Sequence, residues 1–294
     1  VLGAIKWDFN PEIIEGYPTP NYYGLLFVTG LVIGFFVIRK MFRKEGVPDA
    51  KLDKLLLYVI IATIVGARLG HVFFYGPYFD HYDQATGKLI EGYFSHPLSI
   101  LKVWEGGLAS HGGAIALLIA LWMFSKREVK QPVLWIFDRI AAPIAIAGTF
   151  IRLGNLANGE IVGHETNVPW AFQFMREDCP YVSCPWEEIP ARHPAQLYEA
   201  IGYLAVFALL MFLYWKKNWW KIEGRLFGVF LVVLWSVRFF AEFVKEGQTE
   251  RDDVWALNTG QILSIPLILF GFYLLFRKKN RDKISIYKPE SGNK

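Results

Sequence analysis

Four arginines stand where an apolar chain has little room for charge. Arg68, Arg139 and Arg238 lie inside long apolar runs, and Arg152 follows directly on another. A charged side chain at a bilayer centre costs about 2.5–3.5 kcal/mol on insertion scales, so residues kept there pair with a partner or serve a site. Glu242 follows Arg238 by four residues and shares its helical face. Asp138 adjoins Arg139. The segment from Arg152 to Gly163 gathers one cation, two amides (Asn155, Asn158), the carboxylate of Glu160 and three glycines. Arginine offers phosphate a fork of donors, and asparagine offers both donor and acceptor. The segment therefore suits a phosphate flanked by hydroxyls; the plainer reading is a polar turn leaving a helix. His111 stands between the glycine pairs Gly106–Gly107 and Gly112–Gly113. Such glycines let backbone approach a ligand and leave amide donors free at a helix start. They equally permit tight helix packing with the histidine in the core. A further cluster runs through Arg192, His193, Pro194, Gln196, Tyr198 and Glu199. Pro194 can open a helix there, which leaves Gln196 and Glu199 three apart; helix capping is the plainer reading. Gln261 opens the last apolar run as a polar group.

These residues need elements to hold them. The chain has 294 residues, 53% hydrophobic and only 20% charged, with a mean hydropathy of +0.27. That composition disfavours a disordered or nucleic-acid-coating chain, and the net charge of +4 is spread between apolar runs rather than over one face. Seven runs approach the roughly 20 residues that a membrane helix needs: Tyr22–Ile38, Leu55–Tyr75, Gly106–Phe124, Val133–Phe150, Gln196–Trp215, Leu226–Val244 and Thr259–Phe276. The third is the weakest, because glycines and His111 open it. The runs do not alternate as barrel strands would. The expected fold is therefore an all-α polytopic membrane protein with seven transmembrane helices, forming one integral membrane domain over residues 1–294.

The segments 39–54, 125–132, 216–225 and 277–294 carry 20 of the 31 Lys and Arg residues. Cytoplasmic loops hold such an excess, so the N-terminus is expected outside and the C-terminus in the cytoplasm. Trp104, Trp215, Trp219, Trp220 and Trp255 fall near run ends, where aromatic belts form. Val1–Tyr17 lacks the basic and apolar regions of a cleavable signal. The long loops 76–105 and 151–195 both fall on the outer side, as a periplasmic head region. The polar clusters and Arg238 are expected to converge near the outer half of the membrane, in a cationic pocket open to lipid. Cys179 and Cys184 could close a small disulfide loop in an oxidising compartment, or stand as two free thiols. Neither they nor the histidines have the spacing of a metal site.

In this order the blocks resemble the bacterial prolipoprotein diacylglyceryl transferases over nearly the whole chain. The matching residues are Tyr22-Tyr23-Gly24-Leu25, Gly66 to Arg68, the block through His111-Gly112-Gly113, and Arg152 through Asn155, Asn158 and Glu160 to Gly163. Then come Arg192-His193-Pro194 with Gln196, Tyr198 and Glu199, Arg238 with Glu242, and Gly260-Gln261. The resemblance implies transfer of the diacylglyceryl group of phosphatidylglycerol onto the lipobox cysteine thiol of a pre-prolipoprotein. A thioether forms and glycerol phosphate leaves. It implies a multi-pass protein of the bacterial inner membrane, with phosphatidylglycerol, the lipobox peptide and membrane lipids as partners, and no cofactor, metal or nucleic acid. It makes Arg152, Arg238 and His111 the functional core, with Tyr23, Asn155, Glu160 and Gly163 lining the same site. The chain departs from the family's usual pattern at Leu234 (often Tyr), Ala67 (a glycine), Ala114 and Ala116 in the block after His111, and Lys245 (usually Arg). The Cys179–Cys184 segment looks like an insertion.

The chemistry fits this resemblance. Breaking a glycerol C–O bond places negative charge on phosphate, which Arg152 and Arg238 would stabilise. The attacking sulfur must be a thiolate. His111 suits the thiol proton; alternatively the cations alone lower the thiol pKa and His111 holds lipid. A transporter for an anionic solute is a rival reading, but the two halves show no repeat. A structural scaffold is another.

Overall fold

The structure is a computed structural model that describes residues 3–82, 87–103, 106–179, 184–247, 257–277 and 287, without the side chain of Pro18. Trp104 and Trp255 of the expected aromatic belt lie outside the described residues. Long helices occupy all seven apolar runs: α1 Tyr22–Lys44, α2 Asp49–Phe74, α3 Ser110–Arg127, α4 Val133–Asn158, α6 Ala195–Trp215, α7 Arg225–Ala241 and α8 Thr259–Phe276; a single turn, α5, covers Met175–Asp178. Five of them (α1, α2, α4, α6 and α8) are long and apolar enough to cross a membrane, with mean hydropathy from 1.5 to 2.0. Short strands that the helical reading did not anticipate lie between helices: β1 Ile5–Trp7, β2 Glu12–Ile14, β3 Tyr17–Asn21, β4 His81–Tyr82, β5 Leu89–Ile90, β6 Phe172–Phe174 and β7 Ala191–Arg192.

The chain divides into two compact units, one of residues 1–41 and 137–286, the other of residues 42–136 and 287–294. In the first unit α6, α7 and α8 pack in sequence, and three helix ends in this unit are fixed by specific devices. The two oxygens of Asp138 accept from the N–H groups of Gly224 (2.7 Å) and Phe227 (2.9 Å), capping the start of α7. This accounts for a buried acid next to Arg139, which itself donates to the Trp220 carbonyl at 3.2 Å. α8 opens on a capping box, in which the Gln261 N–H donates to the Asn258 side chain and the Asn258 N–H to the Gln261 side chain. α4 closes on Gly159, whose φ of +71° lies in the left-handed region. Gly159 N–H donates to Leu156 and Glu160 N–H to Asn155, the paired bonds of a glycine-terminated helix.

That closure corrects the expected boundary. The apolar run stops at Phe150, but α4 continues to Asn158. Arg152, Asn155 and Asn158 therefore project from its last two turns rather than from a loop. Helix hydrogen bonding does not need apolar side chains, and Leu153, Leu156 and Ala157 keep good helix formers in this stretch.

Beyond this end sits a three-stranded sheet in the order β1-β6-β7, with β1 parallel and β7 antiparallel to β6. Phe172 and Phe174 cluster with Leu156 and Val162, and Trp7 and Leu197 pack against them. The Trp7 indole donates to the Leu156 carbonyl at 2.9 Å, which ties the sheet to α4. Cys179 and Cys184 are joined as a disulfide. Next to it, Asp178 takes Arg192 of β7 at 2.6 Å and Glu246 takes it at 3.1 Å.

In the second unit α2 and α3 pack closely through small residues. A methyl group added at Gly70 would stand 2.7 Å from the Gly112 Cα, and one added at Gly66 would stand 2.7 Å from the Gly112 carbonyl oxygen. Here glycine is required for close approach of two helices. β4 and β5 form a small antiparallel pair in the same unit.

Candidate functional site

The first unit carries two arginine stations. At the first, Arg152 on α4 meets Glu199 on α6, Nε to Oε2 at 3.0 Å, with the guanidinium 12% exposed and the carboxylate fully buried. Tyr203, one turn further along α6, donates to the other Glu199 oxygen at 3.2 Å. On the α4 side Arg152 donates to Asn155 Oδ1 at 3.3 Å. Asn155 and Asn158 in turn both donate to Glu160 Oε1, at 2.8 and 3.2 Å. Gln196 donates to the Glu160 carbonyl at 2.6 Å, while its own Oε1 is buried with no hydrogen-bond partner. The arrangement is one chain of polar contacts: Tyr203, Glu199, Arg152, Asn155, Glu160, Gln196. Pairing offsets much of the cost of burying these charges, while Glu199 Oε2 meets Arg152 as an ion pair without completing a hydrogen bond. Tyr23 lies with its ring against Gly154, where an added methyl would come 2.8 Å from Cδ2. Its hydroxyl has no partner among the described residues.

At the second station Arg238 on α7 stands 3.6 Å from Glu242 and is 26% exposed. Its Nε is buried without a hydrogen-bond partner, and its guanidinium lies 5.6 Å from the Trp235 ring centroid. Glu242 also receives Lys245 at 3.2 Å and the Asn258 amide at 3.2 Å. Gln261 takes part as the capping partner of Asn258, so its amide is spent on the start of α8. The main chain joins the stations. Gly163 bridges to Lys245, and the N–H of Glu246 donates to the Val162 carbonyl at 3.2 Å. Gly163 also donates to the His193 carbonyl at 2.9 Å, and an added methyl would press on the His193 Cβ at 2.7 Å. Gly163 therefore permits a crowded crossing.

His193, Tyr198 and Trp170 form a third group. The Trp170 indole donates to the Tyr198 oxygen at 2.7 Å, and that oxygen lies 3.1 Å from His193 Nδ1. The Tyr198 hydroxyl and His193 Nδ1 thus share one hydrogen bond beside the indole, with the imidazole in its neutral form. Burial, and then the neighbouring His164, hold the His193 imidazole below its ordinary value, in keeping with that form.

The second unit separates its candidates. Arg68 is buried, and its donors meet main-chain carbonyls: Ile100 (2.9 Å), Gly106 (2.6 Å), Gly107 (3.2 Å) and Ser99 (2.6 Å). Its guanidinium lies 5.0 Å from the Tyr93 ring centroid. Arg68 thus gathers the loop that leads into α3. Gly112 faces α2 in the helix contact, and Gly113 faces Thr63 and Ala67 with ordinary van der Waals room. His111, at the start of α3, is exposed and has no side-chain partner among the described residues.

Sequence reasoning missed several of the residues that organise these stations. Tyr203 and Trp170 read as ordinary aromatic residues until packing places their polar tips. Asn258 was legible, because an asparagine three residues before Gln261 at a run start is a capping-box signature. Asp178 and Lys245 gave no signal of their partners.

Residues 14–277 match the family model described as prolipoprotein diacylglyceryl transferase. A relative from Tolumonas auensis is 41% identical over 270 residues, covering 92% of this chain and 95% of its own length. One from Porphyromonas gingivalis is 42% identical over 280 residues, covering 93% and 94%. One from Chloroherpeton thalassium is 39% identical over 281 residues, covering 95% and 96%. Each is named phosphatidylglycerol--prolipoprotein diacylglyceryl transferase.

Proposed function

We infer that this chain, which belongs to the prolipoprotein diacylglyceryl transferase family, moves the diacylglyceryl group of phosphatidylglycerol onto the cysteine thiol of a prolipoprotein. In this reading the cysteine sulfur attacks the glycerol carbon that bears the phosphate ester. A C–S bond forms, the C–O bond breaks, and its electron pair leaves on glycerol phosphate. Arg152 and Arg238 stabilise the charge that grows on the phosphate oxygens, because fixed cations in a water-poor site act without reorganising. Glu199 and Tyr203 hold Arg152, and Glu242 holds Arg238. Asn155, Asn158, Glu160 and Gln196 supply amides and a carboxylate for the headgroup hydroxyls, and the Tyr23 hydroxyl adds a donor. His111 takes the thiol proton. With no side-chain partner among the described residues, it suits a base that must meet a substrate.

The observation that carries the reading is the Arg152 station: a cation at the end of an apolar helix, held from one side by a fully buried carboxylate and followed by two amides. Seven spans with the N-terminus outside and the C-terminus in the cytoplasm fit the run lengths and the 20 basic residues gathered in one set of segments. A bacterial inner membrane supplies both the lipid and the lipobox peptide. The test is purified chain in phosphatidylglycerol micelles with a lipobox peptide. A peptide mass gain of one diacylglyceryl group is expected, and none for the Cys→Ser peptide. Equal gain on both peptides would overturn thioether transfer. His111→Gln is expected to lose turnover near neutral pH; unchanged turnover and pH profile would remove His111 as the base.

A further inference from the structure

The three-stranded sheet has two faces with different company. One packs Phe172 and Phe174 onto Leu156, directly after the Arg152 and Asn155 turns of α4. On the other, the paired residues Lys6, Gln173 and Ala191 form a row across all three strands. This row floors a cavity of about 780 Å³, walled in part by Glu165, Trp186 and Glu187. The reaction proposed above uses none of these residues.

Three features define what the cavity would accept. First, β1 is an edge strand. Its inner side bonds to β6, so the Lys6 main-chain N–H and C=O face outward, and no strand pairs with them among the described residues. Such an edge accepts an extended polypeptide as an added strand. Second, the charge is lopsided. The Lys6 ammonium already lies 5.3 Å from the Trp186 ring centroid, while the Glu165 and Glu187 carboxylates have no partner among the described residues. They favour a cationic side chain and disfavour an anionic lipid surface. Third, the strands that floor the cavity continue into the site. β7 ends at Arg192, followed directly by His193 and the start of α6, which carries Gln196 and Glu199.

We propose that this cavity and the open edge of β1 dock the polypeptide acceptor, taking an extended stretch that carries a lysine or arginine beside Glu165 and Glu187. Main-chain bonds along Lys6 supply sequence-independent hold, and the two carboxylates supply preference for a basic residue. The proposal rests on the acceptor being a polypeptide, as in the transfer reading.

Its test separates docking from chemistry. Fluorescent acceptor peptides with serine in place of the reactive cysteine are titrated against the full chain in micelles, one with a lysine in the extended stretch and one with glutamine there. The lysine peptide is expected to bind about tenfold more tightly. Glu165→Gln with Glu187→Gln should erase that difference while leaving glutamine-peptide binding unchanged. Lys6→Pro, which removes the outward N–H, should weaken both peptides severalfold. In turnover with cysteine peptides, the double variant should raise KM for the lysine peptide and leave kcat unchanged. Equal binding of both peptides by the wild-type chain, or a double variant that lowers kcat on both, would overturn the proposal. Peptide binding that follows the expected pattern without turnover would instead count against the transfer reading alone.

Discussion

Glu199 is the residue on which the Arg152 station depends. It is fully buried, and its two oxygens are shared between Arg152 and Tyr203. Removing one member of a buried pair leaves an uncompensated charge, at a cost of about 3–5 kcal/mol. Glu199→Gln keeps the shape and the Tyr203 bond but not the charge. It is expected to lower turnover by about 100-fold and to lower thermal stability in detergent, whereas Tyr203→Phe loses one hydrogen bond to the carboxylate, about 1.5–3 kcal/mol, and keeps the ion pair. Turnover equal to wild type in Glu199→Gln would show that Arg152 needs no partner to work.

His193 gives a pH dependence at the same scale. Its folded value lies below the ordinary 6.5, because burial and His164 oppose the charged form. The unfolded chain therefore binds the proton more readily. The stabilising contribution is fully present above 6.5 and is lost as pH falls through the lower folded value, when a charged imidazole forms beside Tyr198 against burial and His164. The melting temperature should fall on acidification through this window, and His193→Asn should flatten that part of the profile. An unchanged slope would remove His193 as its source.

At the scale of elements, the glycines around His111 divide by what they touch. A side chain at Gly112 meets the Gly70 Cα at 2.6 Å, so Gly112→Ala must push α2 and α3 apart, at about 1–3 kcal/mol. At Gly113 the nearest atom is 3.5 Å away, and Gly113→Ala should be neutral or slightly stabilising through helix propensity. Comparative melting of the two variants checks this, and equal loss in both would contradict the packing assignment. The same residues show what sequence could carry. Run length alone located all seven long helices, since apolar stretches of that length have few other fates. The end of α4 was hidden because Arg152, Asn155 and Asn158 look like a loop, although a helix continues until a residue such as Gly159 stops it. Strands of two to five residues gave no periodicity to read. His111-Gly112-Gly113 was visible as a motif, but whether its glycines serve a ligand or a helix contact depended on what lies opposite.

At the scale of the whole molecule, the charge has two uses. Most basic residues fall in four segments between or beyond the long helices, and so the net +4 says little about substrate. The few inside apolar runs differ in what they hold. Arg68 donates to main-chain carbonyls, whereas Arg152 and Arg238 face carboxylates. Spacing singles out Glu242 as the partner of Arg238, but it gives no sign that Arg68 is held by main-chain carbonyls or that Arg152 meets Glu199. Arg152 and Arg238, each beside a carboxylate, are the two assigned to phosphate.

Purified chain, phosphatidylglycerol and a cysteine peptide, without vesicles, allow released glycerol phosphate and diacylglyceryl peptide to be counted in one reaction. Wild type should yield the two products one for one, and Arg152→Ala should yield neither above about 1% of that rate while retaining its fold. Glycerol phosphate released without lipidated peptide, or full turnover in Arg152→Ala, would contradict transfer driven by phosphate departure at the Arg152 station.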